Sequence, residues 1–322
     1  MNIERQLFLR TMVIGRAAGA AEHLAALMKD AYFPAGTALY RAGEACDQLF
    51  FIIRGTVHLV APGLDPLRFG DRSVIGVLDM LQDRPYSRTA VAVTDVEGLT
   101  ARADDWLEML EENFEFGRSA LVNNATGLVQ LASTLPLCGF PPEGVAGAPL
   151  QINGKPGAPL DLVGRLLALR AVPAFSMARI QALSSMAELA EEEHHAAGAT
   201  LFAEGAVPTG LYVLVRGKVE LVADGFRAPV PFGAGTLIGN YAAFSERPLP
   251  FGARVVEPTT LLRLRIEDLL DLMEIHFEVA RSSMAYVANE RIRVLEYRAE
   301  LASLPPPSTG DVAQVVPLPV GA

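Results

Sequence analysis

One block of sequence occurs twice in this chain, and that repeat constrains the fold more than any other feature. Residues 36–60 align without a gap with residues 198–222, and nine of the 25 positions are identical. Chance would supply roughly two identities in a block of this length. The identical pairs are Gly36/Gly198, Leu39/Leu201, Gly43/Gly205, Leu49/Leu211, Arg54/Arg216, Gly55/Gly217, Val57/Val219, Leu59/Leu221 and Val60/Val222. The chain therefore holds two copies of one domain, and every motif has to be examined in both.

The repeat continues beyond this block after one inserted residue. Ile75-Gly76 aligns with Ile238-Gly239, and Arg84-Pro85 aligns with Arg247-Pro248. Such a long spacing indicates a tandem domain duplication, because solenoid repeats are only about 20–50 residues long. The predicted organisation is a first domain over 1–135, a Gly/Pro-rich linker over 136–160, a second domain over 161–303 and a disordered Pro-rich tail over 304–322.

Short segments rich in β-branched and aromatic residues alternate with glycines in each copy. In the first copy they predict strands over 48–53 and 56–60 around a tight turn at Arg54-Gly55, and further strands near 87–94 and 98–102. Helical segments are predicted before the strands, at 22–29 and 178–193. Many short strands with glycine turns are typical of a small barrel or roll. The predicted fold class is α+β, with two tandem β-roll (double-stranded jelly-roll-like) domains, each flanked by helices and ended by a long C-terminal closing helix.

Each predicted closing helix carries a row of residues, mostly apolar, at alternating spacings of three and four. The first row is Leu107, Leu110, Phe114, Gly117, Leu121, Asn124, Leu128 and Leu131, and the second is Met273, Phe277, Ala280, Met284, Val287, Arg291 and Val294. Small residues at Gly117 and Ala280 would let two helix backbones approach closely. Either each row packs on its own barrel, or the two helices pack against each other or against a second chain. In the second case Asn124 and Arg291 would bias register and the choice of partner.

The order of these motifs resembles the cyclic nucleotide-binding domain family, the β-roll domain of catabolite-activator-type regulators, cyclic-nucleotide-dependent kinases and gated channels. The first copy carries the resemblance at Pro34-Ala35-Gly36, Gly43, Arg54-Gly55, Val57, Ile75-Gly76 and Arg84-Pro85, and the second copy carries it at the aligned positions. The resemblance covers about residues 5–134 and 166–302. It implies the β-roll fold in both copies and a cyclic nucleotide as one candidate ligand.

The resemblance also implies a ligand cassette, in which a turn and a helix N-terminus present backbone N–H groups to the cyclic phosphate. An arginine after the helix bonds the phosphate, and a glutamate after the cassette glycine accepts from the ribose. Here the glutamate position holds Val77 and Asn240, and the arginine position holds Tyr86 and Leu249. Losing the arginine contact alone should cost about 2–5 kcal/mol, or roughly 30- to 3,000-fold in affinity. Both cassettes are therefore expected to be degenerate.

The first copy retains more candidate ligand-binding groups than the second. Arg88 lies two residues after Tyr86, so on a strand it faces the same side about 6–7 Å further along. The candidate site residues of the first cassette are Gly76, Val77, Leu78, Tyr86, Ser87, Arg88 and Thr89, and those of the second are Gly239, Asn240 and Tyr241. A cyclic nucleotide or another small anion is the candidate ligand. No cofactor is required by the sequence, and no metal is expected.

Composition argues against several classes of function. The net charge is −10, from 37 acidic and 27 basic residues, and no basic stripe marks a nucleic-acid surface. No apolar run reaches the ~18 residues of a membrane helix, and no signal-peptide core is visible, so we expect no membrane insertion and a cytoplasmic location. Cys46 and Cys138 are expected to be free thiols. The run Glu191–His195 is interpreted as a solvated helix end, and no spaced set of groups supplies acid, base and nucleophile.

The sequence therefore predicts a non-enzymatic regulatory, sensor or scaffold protein that signals through protein–protein contacts of its closing helices, as a pseudo-dimer of its two domains or by self-association. An anion bound in the first copy would order the cassette and move the closing helix over 104–134. One alternative is a genuine cyclic AMP or cyclic GMP receptor with ligand in the first domain only. Another is a relative of transcription regulators that lacks the DNA-binding domain.

Overall fold

The computed structural model describes residues 26–147, 150, 159–226 and 228–303 of the chain. The predicted tail over 304–322 lies outside the described residues, as do residues 1–25 and part of the predicted linker. Both copies of the repeated block fall within the described ranges.

Eight strands of the first domain form two antiparallel four-stranded sheets. They are β1 (Lys29–Phe33), β2 (Ala38–Tyr40), β3 (Gln48–Arg54), β4 (Val57–Val60), β5 (Leu67–Phe69), β6 (Ser73–Ile75), β7 (Thr89–Ala92) and β8 (Val96–Arg102). One sheet has the order β1-β8-β3-β6 and the other the order β2-β7-β4-β5. Burial alternates along β4 and β7, so each strand turns one face to the domain core.

A glycine carries the chain from one sheet of the first domain to the other. The predicted tight turn at Arg54-Gly55 is wrong, because β3 pairs with β6 and β8 whereas β4 pairs with β5 and β7. Gly55 has a φ of +115°, and a Cβ there would lie 2.5 Å from the carbonyl oxygen of Asp95. Only glycine fits this bend. A glycine between two β-rich segments reads the same in the sequence whether the strands pair or change sheets.

The second domain repeats the arrangement with two long strands. Its strands are β9 (Glu191–His195), β10 (Thr200–Phe202), β11 (Gly210–Val222), β12 (Val230–Phe232), β13 (Leu237–Ile238) and β14 (Gly252–Arg265). They follow the order β10-β14-β11-β12, with β13 on β11 and β9 on β14. The helix-end interpretation of residues 191–195 is wrong, because their backbone pairs with β14 from Thr259 to Arg263.

Helices flank the strands in both domains. They are α1 (Val77–Leu81), α2 (Ala103–Glu112), α3 (Phe114–Ser133), α4 (Leu162–Arg170), α5 (Ile180–Leu189), α6 (Ile266–Ile275) and α7 (Phe277–Ser303), with 3-10 turns at Pro136–Gly139, Pro173–Phe175 and Asn240–Ser245. The helix predicted over 178–193 is the shorter α5. The helix predicted over 22–29 is described only from residue 26 and has ended by Lys29, where β1 begins. This arrangement confirms the α+β class and the two tandem β-roll domains.

Each closing helix is in fact two helices joined at one non-helical residue. Helices α2 and α3 meet at Asn113, with φ −129° and ψ 82°, and α6 and α7 meet at His276, with φ −122° and ψ 80°. The continuous helix predicted over 104–134 is therefore wrong. The apolar spacing runs on across the joint, so periodicity alone could not reveal it. The side chain of Asn113 accepts a hydrogen bond from the Phe116 N–H at 3.4 Å and so caps α3.

The long helices α3 and α7 pack against each other within the chain. Gly117 permits the close approach, since a Cβ there would lie 3.3 Å from Met284 Cε, and Leu121 is buried in the core. Of the alternatives for the apolar rows, the structure thus contains the pairing within one chain. Asn124 does not set the register as predicted: it is exposed, and its Nδ2 donates to the Ala120 carbonyl of its own helix at 2.8 Å.

Candidate functional site

The same backbone hydrogen bonds hold the two cassettes. Gly76 and Gly239 start them in the left-handed region, with φ of +93° and +85°. The backbone of Tyr86 then bonds to residues 43–44, with N–O distances of 2.9 and 3.0 Å, and that of Leu249 bonds to residues 205–206 at 2.9 Å twice. The scaffold of the site is therefore present in both domains, and any difference between them lies in the side chains.

Each cassette lies under the closing helix of the other domain. Helix α7 packs on α1 in the first cassette, and α3 packs on the 3-10 turn of the second. Arg281 on α7 donates from Nε to the Leu81 carbonyl at 2.8 Å and from Nη2 to the Met80 carbonyl at 3.2 Å. The aligned residue Arg118 on α3 lies 3.9 Å from Glu246, at the end of the second cassette. A ligand in one domain would therefore contact a helix of the other.

A buried carboxylate occupies the first cassette. Asp79 on α1 is 6% exposed. Its Oδ2 accepts from the Ser87 backbone N–H at 3.1 Å and from the Ser87 hydroxyl at 3.2 Å, and its Oδ1 accepts from Arg84 Nε at 2.8 Å. A turn N–H of the kind that would serve a phosphate is thus already bonded to an anion of the chain itself. A phosphate placed there would meet a like charge.

Tyr86, at the arginine position, packs in the core of the first domain. Its ring stacks on that of Tyr40 with centroids 3.7 Å apart, and its hydroxyl donates to the Gln48 carbonyl at 2.6 Å. Burial raises the pKa of Tyr86 above its usual range, so the phenol stays neutral. The Thr89 hydroxyl is also engaged, because it accepts from the Ala42 N–H at 3.0 Å. These two hydroxyls hold the protein together rather than facing a ligand.

A cavity of about 680 Å³ lies between the first cassette and α7. Its walls include five of the seven predicted first-cassette residues, namely Gly76, Val77, Leu78, Ser87 and Arg88. Apolar side chains such as Leu59, Phe69 and Trp106 also line it. Pockets that hold small molecules commonly measure about 300–1,000 Å³. This cavity is therefore large enough for a compact organic ligand.

The charged side chains that line the cavity are mostly basic. They are Arg72, Arg84, Arg88, Arg291 and Arg293, against Asp79 and Glu296. The lining is thus positive although the chain carries a net charge of −10. Burial lowers the pKa of Arg291, and its Nε has no hydrogen-bond partner among the residues that the structure describes. A concave positive lining concentrates small anions.

Sequence reasoning missed the residues that α7 brings to the first domain. Arg293 and Glu296 lie more than 200 residues after the cassette, and no local pattern places them there. Arg291 was predicted to bias register and the choice of partner, and the structure places it in the lining of this cavity. The one available signal was the possibility that the two closing helices pair, since pairing brings the second helix over the first barrel.

Apolar side chains fill the second cassette. Tyr241, Leu249 and Phe251 are each 2% exposed or less, and the Phe251 ring packs edge-on against that of Phe140, with centroids 5.6 Å apart. The cavity that remains beside Gly239 measures about 140 Å³. That volume is below the usual range for small-molecule pockets, so this cassette has no room for a nucleotide as it stands.

The cysteines and histidines of the described residues do not form a second site. Cys46 is half-buried and Cys138 is buried, and both are free, as predicted. Burial raises the pKa of each thiol to about 11, so both are mostly protonated at neutral pH. Within the described ranges, no group of three or more His, Cys, Asp or Glu side chains could hold a metal ion.

The family model described as "Cyclic nucleotide-binding domain" matches residues 31–113 and 192–276. The two matches make up more than half of the chain and fall on the two copies of the repeat. The chain belongs to the cyclic nucleotide-binding domain family. It carries two such domains in tandem.

Two bacterial channels share a segment with this pair of cyclic nucleotide-binding domains. A cyclic nucleotide-gated potassium channel of Rhizobium etli is 36% identical over 73 residues, which are 23% of this chain and 20% of the channel. A cyclic nucleotide-gated potassium channel of Mesorhizobium japonicum is 32% identical over 73 residues, with the same shares. The chain thus matches about a fifth of the length of these relatives.

No helix in the described part of the chain is long and apolar enough to cross a membrane.

Solved structures of regulatory subunits align over most of the chain at low identity. The regulatory domain of Toxoplasma gondii PKA with cAMP is 14% identical with a TM-score of 0.32, and the alignment covers 84% of this chain and 91% of that one. The regulatory subunit of a cAMP-independent protein kinase A from Trypanosoma brucei is 13% identical with a TM-score of 0.36, covering 94% and 97%. Superpositions this loose carry no information on ligand or partner.

Proposed function

We propose that this protein is a non-enzymatic regulatory module in which the first domain senses a small anionic ligand and the second domain is its built-in partner. The observation that carries the proposal is the cavity of about 680 Å³ in the first domain, which the second domain covers with α7. A sensor needs a site whose occupancy changes contacts elsewhere. Here the lid of the site belongs to another domain, so occupancy and domain contact are linked directly.

The charge of the lining supports an anion as the ligand. Five arginines against two acids would attract a carboxylate or phosphate, and the apolar walls would accept an organic body. Helix α7 supplies Arg291, Arg293 and Glu296 to this lining. A ligand can shift α7 only if it binds one arrangement of the helix more tightly than another. The charged side chains of α7 in the lining would give the ligand that preference.

A genuine cyclic nucleotide receptor remains the second candidate, because the cavity adjoins the cassette that the family uses. Against it stand Val77 at the glutamate position, Tyr86 at the arginine position and the carboxylate of Asp79 in the cassette. A scaffold without a ligand is the third. The transcription-regulator alternative would require DNA binding at low salt, which the net charge of −10 disfavours.

A thermal-shift series on the whole chain tests the proposal. Cyclic AMP, cyclic GMP, nucleoside monophosphates and medium-chain carboxylates are added at up to millimolar concentration, and at least one should raise the melting temperature. Ala288→Phe places a ring in the cavity and should abolish the shift, whereas the matched change Ala302→Phe on the exposed end of α7 should not. No shift with any of these compounds would leave the scaffold function as the better account.

A partner test separates sensing from scaffolding. If α3 and α7 serve mainly as an interaction unit, Leu121→Asp or Met284→Asp should disrupt the domain pair and any complex it forms, because both side chains are buried between the helices. Size-exclusion chromatography with light scattering would show whether the wild-type chain also self-associates.

A further inference from the structure

Arg88 is the most buried of the basic side chains that line the cavity. It lies between the cassette turn and β7, it is 8% exposed, and it lines the cavity. Its Nη2 donates to Glu296 Oε1 on α7, which joins the first domain to the last helix of the second. The Glu296 side chain is 40% exposed. The pair therefore has one buried and one solvent-accessible member.

The guanidinium of Arg88 is only partly satisfied by this contact. Its Nη1 is buried and has no hydrogen-bond partner within the described part of the chain. A buried N–H without an acceptor costs free energy. A carboxylate or phosphate that bonds both terminal nitrogens would satisfy the planar fork better than a single oxygen of Glu296 does.

Part of the cassette is already bonded to a carboxylate of the chain itself. Its turn N–H at Ser87 and the Nε of Arg84 are already bonded to Asp79. An anion in the cavity would therefore meet repulsion from Asp79 and attraction from Arg88. Arg88 is not at the position that the family resemblance assigns to the anchoring arginine. That position holds Tyr86 in this chain.

Resting on the sensor function proposed above, we infer that Arg88 is the anion anchor of the first domain and that Glu296 is a built-in competitor which the ligand must displace. The ligand is an organic anion with a carboxylate or phosphate head and an apolar body. The head bonds both terminal nitrogens of Arg88, and the body lies against apolar lining residues such as Leu64, Phe69 and Ile292.

Displacement of Glu296 gives the ligand its effect on α7. Leu295 keeps this end of the helix docked in the first-domain core. Exchange of Glu296 for a ligand would therefore loosen the turns around residues 292–300 without detaching the helix. Those turns are the readout by which a partner would sense occupancy.

The test compares two charge-removing variants with a matched control. Isothermal titration of the whole chain uses sodium decanoate, monodecyl phosphate, inorganic phosphate and cyclic AMP as probes. Glu296→Gln should bind decanoate or decyl phosphate roughly tenfold more tightly than the wild type, which is the change expected when a competing contact occupies the anchor about nine-tenths of the time. Arg88→Gln should bind at least about 30-fold more weakly. Glu274→Gln, which removes an exposed acid on α6, should match the wild type.

A second measurement needs no ligand. Hydrogen–deuterium exchange of Glu296→Gln should rise over residues 292–300 and stay unchanged in β11 and β14. Unchanged exchange over 292–300 would overturn the competitor role, whichever probe binds. If Glu296→Gln binds only decanoate more tightly, the ligand carries a carboxylate head. If it binds only decyl phosphate more tightly, the ligand carries a phosphate head.

The outcomes also separate this inference from the proposed function. If a probe binds the wild type and neither Arg88→Gln nor Glu296→Gln changes its affinity, the sensor stands and the anchor is wrong. Cyclic AMP binding that is unchanged in Arg88→Gln would mean that the ligand binds at the cassette and that Arg88 is not its anchor. If no probe binds the wild type or Glu296→Gln, the inference fails, whereas the proposed function fails only if the thermal-shift series with cyclic GMP and nucleoside monophosphates is also negative.

Discussion

The first cassette adjoins a cavity of about 680 Å³ and the second one of about 140 Å³, although the same backbone hydrogen bonds hold both. Three of the aligned positions that differ exchange a polar for an apolar side chain. Asp79, Tyr86 and Arg88 in the first domain correspond to Ala242, Leu249 and Phe251 in the second. The polar residues of the first domain leave charged groups beside an open cavity, whereas the apolar residues of the second domain fill the corresponding volume. Glycines and strand pairing fix the scaffold, and side chains alone decide whether it encloses a site.

The two cassettes also differ in what their side chains contribute to stability. The second domain fills its cassette with well-packed apolar residues, which favours stability. The first cassette instead buries the charges of Asp79 and Arg88 and leaves Arg88 Nη1 unpaired, which costs stability. Helix α7 connects the two, because it begins in the second domain and ends against the first. Under the function proposed above, the second domain would supply support and the first would supply sensing.

The largest expected effect comes from emptying the filled cassette. Phe251→Ala should lower the free energy of unfolding by about 3–5 kcal/mol, because a fully buried ring is lost and a cavity remains. The aligned change Arg88→Ala should cost about 1 kcal/mol or less, since Glu296 keeps access to solvent. Urea denaturation of both variants measures the difference. Equal losses would contradict the assignment of support to the second domain.

The next effect would rebuild the family's phosphate site in the first domain. Asp79→Ala combined with Tyr86→Arg removes the internal carboxylate and restores the arginine position. The double variant should gain roughly 30- to 3,000-fold in affinity for cyclic AMP over the wild type, as expected for a buried charge contact of about 2–5 kcal/mol. Titration calorimetry would measure the gain.

The second domain supplies the control for this rebuilding. Position 242 is already alanine, so Leu249→Arg alone creates the same pair of residues there. It should gain no cyclic AMP binding, because the cavity of about 140 Å³ does not admit the ligand. Cyclic AMP binding by Leu249→Arg would show that the arginine side chain matters more for binding than the volume of the cavity. A double variant that melts at the wild-type temperature and still fails to bind would contradict the role given to Asp79 and Tyr86.

The scaffold could be predicted from the sequence because its constraints are local. Gly55 needs a positive φ and a close backbone approach, and its repetition at Gly217 made the domain count and the β-roll recognisable. The loss of the family's arginine at Tyr86 was equally visible. The wall of the site that α7 supplies was not visible, because Glu296 reaches Arg88 from 208 residues away. The role of Asp79 was hidden too, since an acid in a short helix is ordinarily solvated.

Removing the arginine that links each closing helix to the other cassette should give a smaller and unequal pair of effects. Arg281→Ala loses hydrogen bonds from a charged donor to two carbonyls of α1, and should cost about 1.5–3 kcal/mol. Arg118→Ala loses an exposed ion pair at 3.9 Å, and should cost less than about 1 kcal/mol. Denaturation gives the energies, and hydrogen exchange over 77–87 should rise only in Arg281→Ala. Similar costs would mean that the two cross-domain contacts are equivalent.

The smallest effect uses one cysteine on each side as a local probe. The thiol pKa of Cys46 is raised to about 11, first by burial and then by the negative charge of Asp79, and that of Cys138 is raised to about 11 by burial and then by Glu204. Asp79→Asn removes a negative charge, so the pKa of Cys46 should fall, its thiolate population at pH 8 should rise, and its alkylation should accelerate about two- to fivefold. Cys138 should be unaffected.

Glu204→Gln should produce the reverse pattern, with faster alkylation of Cys138 and no change at Cys46. Iodoacetamide labelling followed by peptide mass spectrometry resolves the two rates in one sample. If Asp79→Asn accelerated both thiols equally, loss of the carboxylate would be loosening the whole chain. Acceleration confined to Cys46 would instead show that the negative charge of Asp79 acts locally in the first cassette. A phosphate bound in that cassette would experience the same charge.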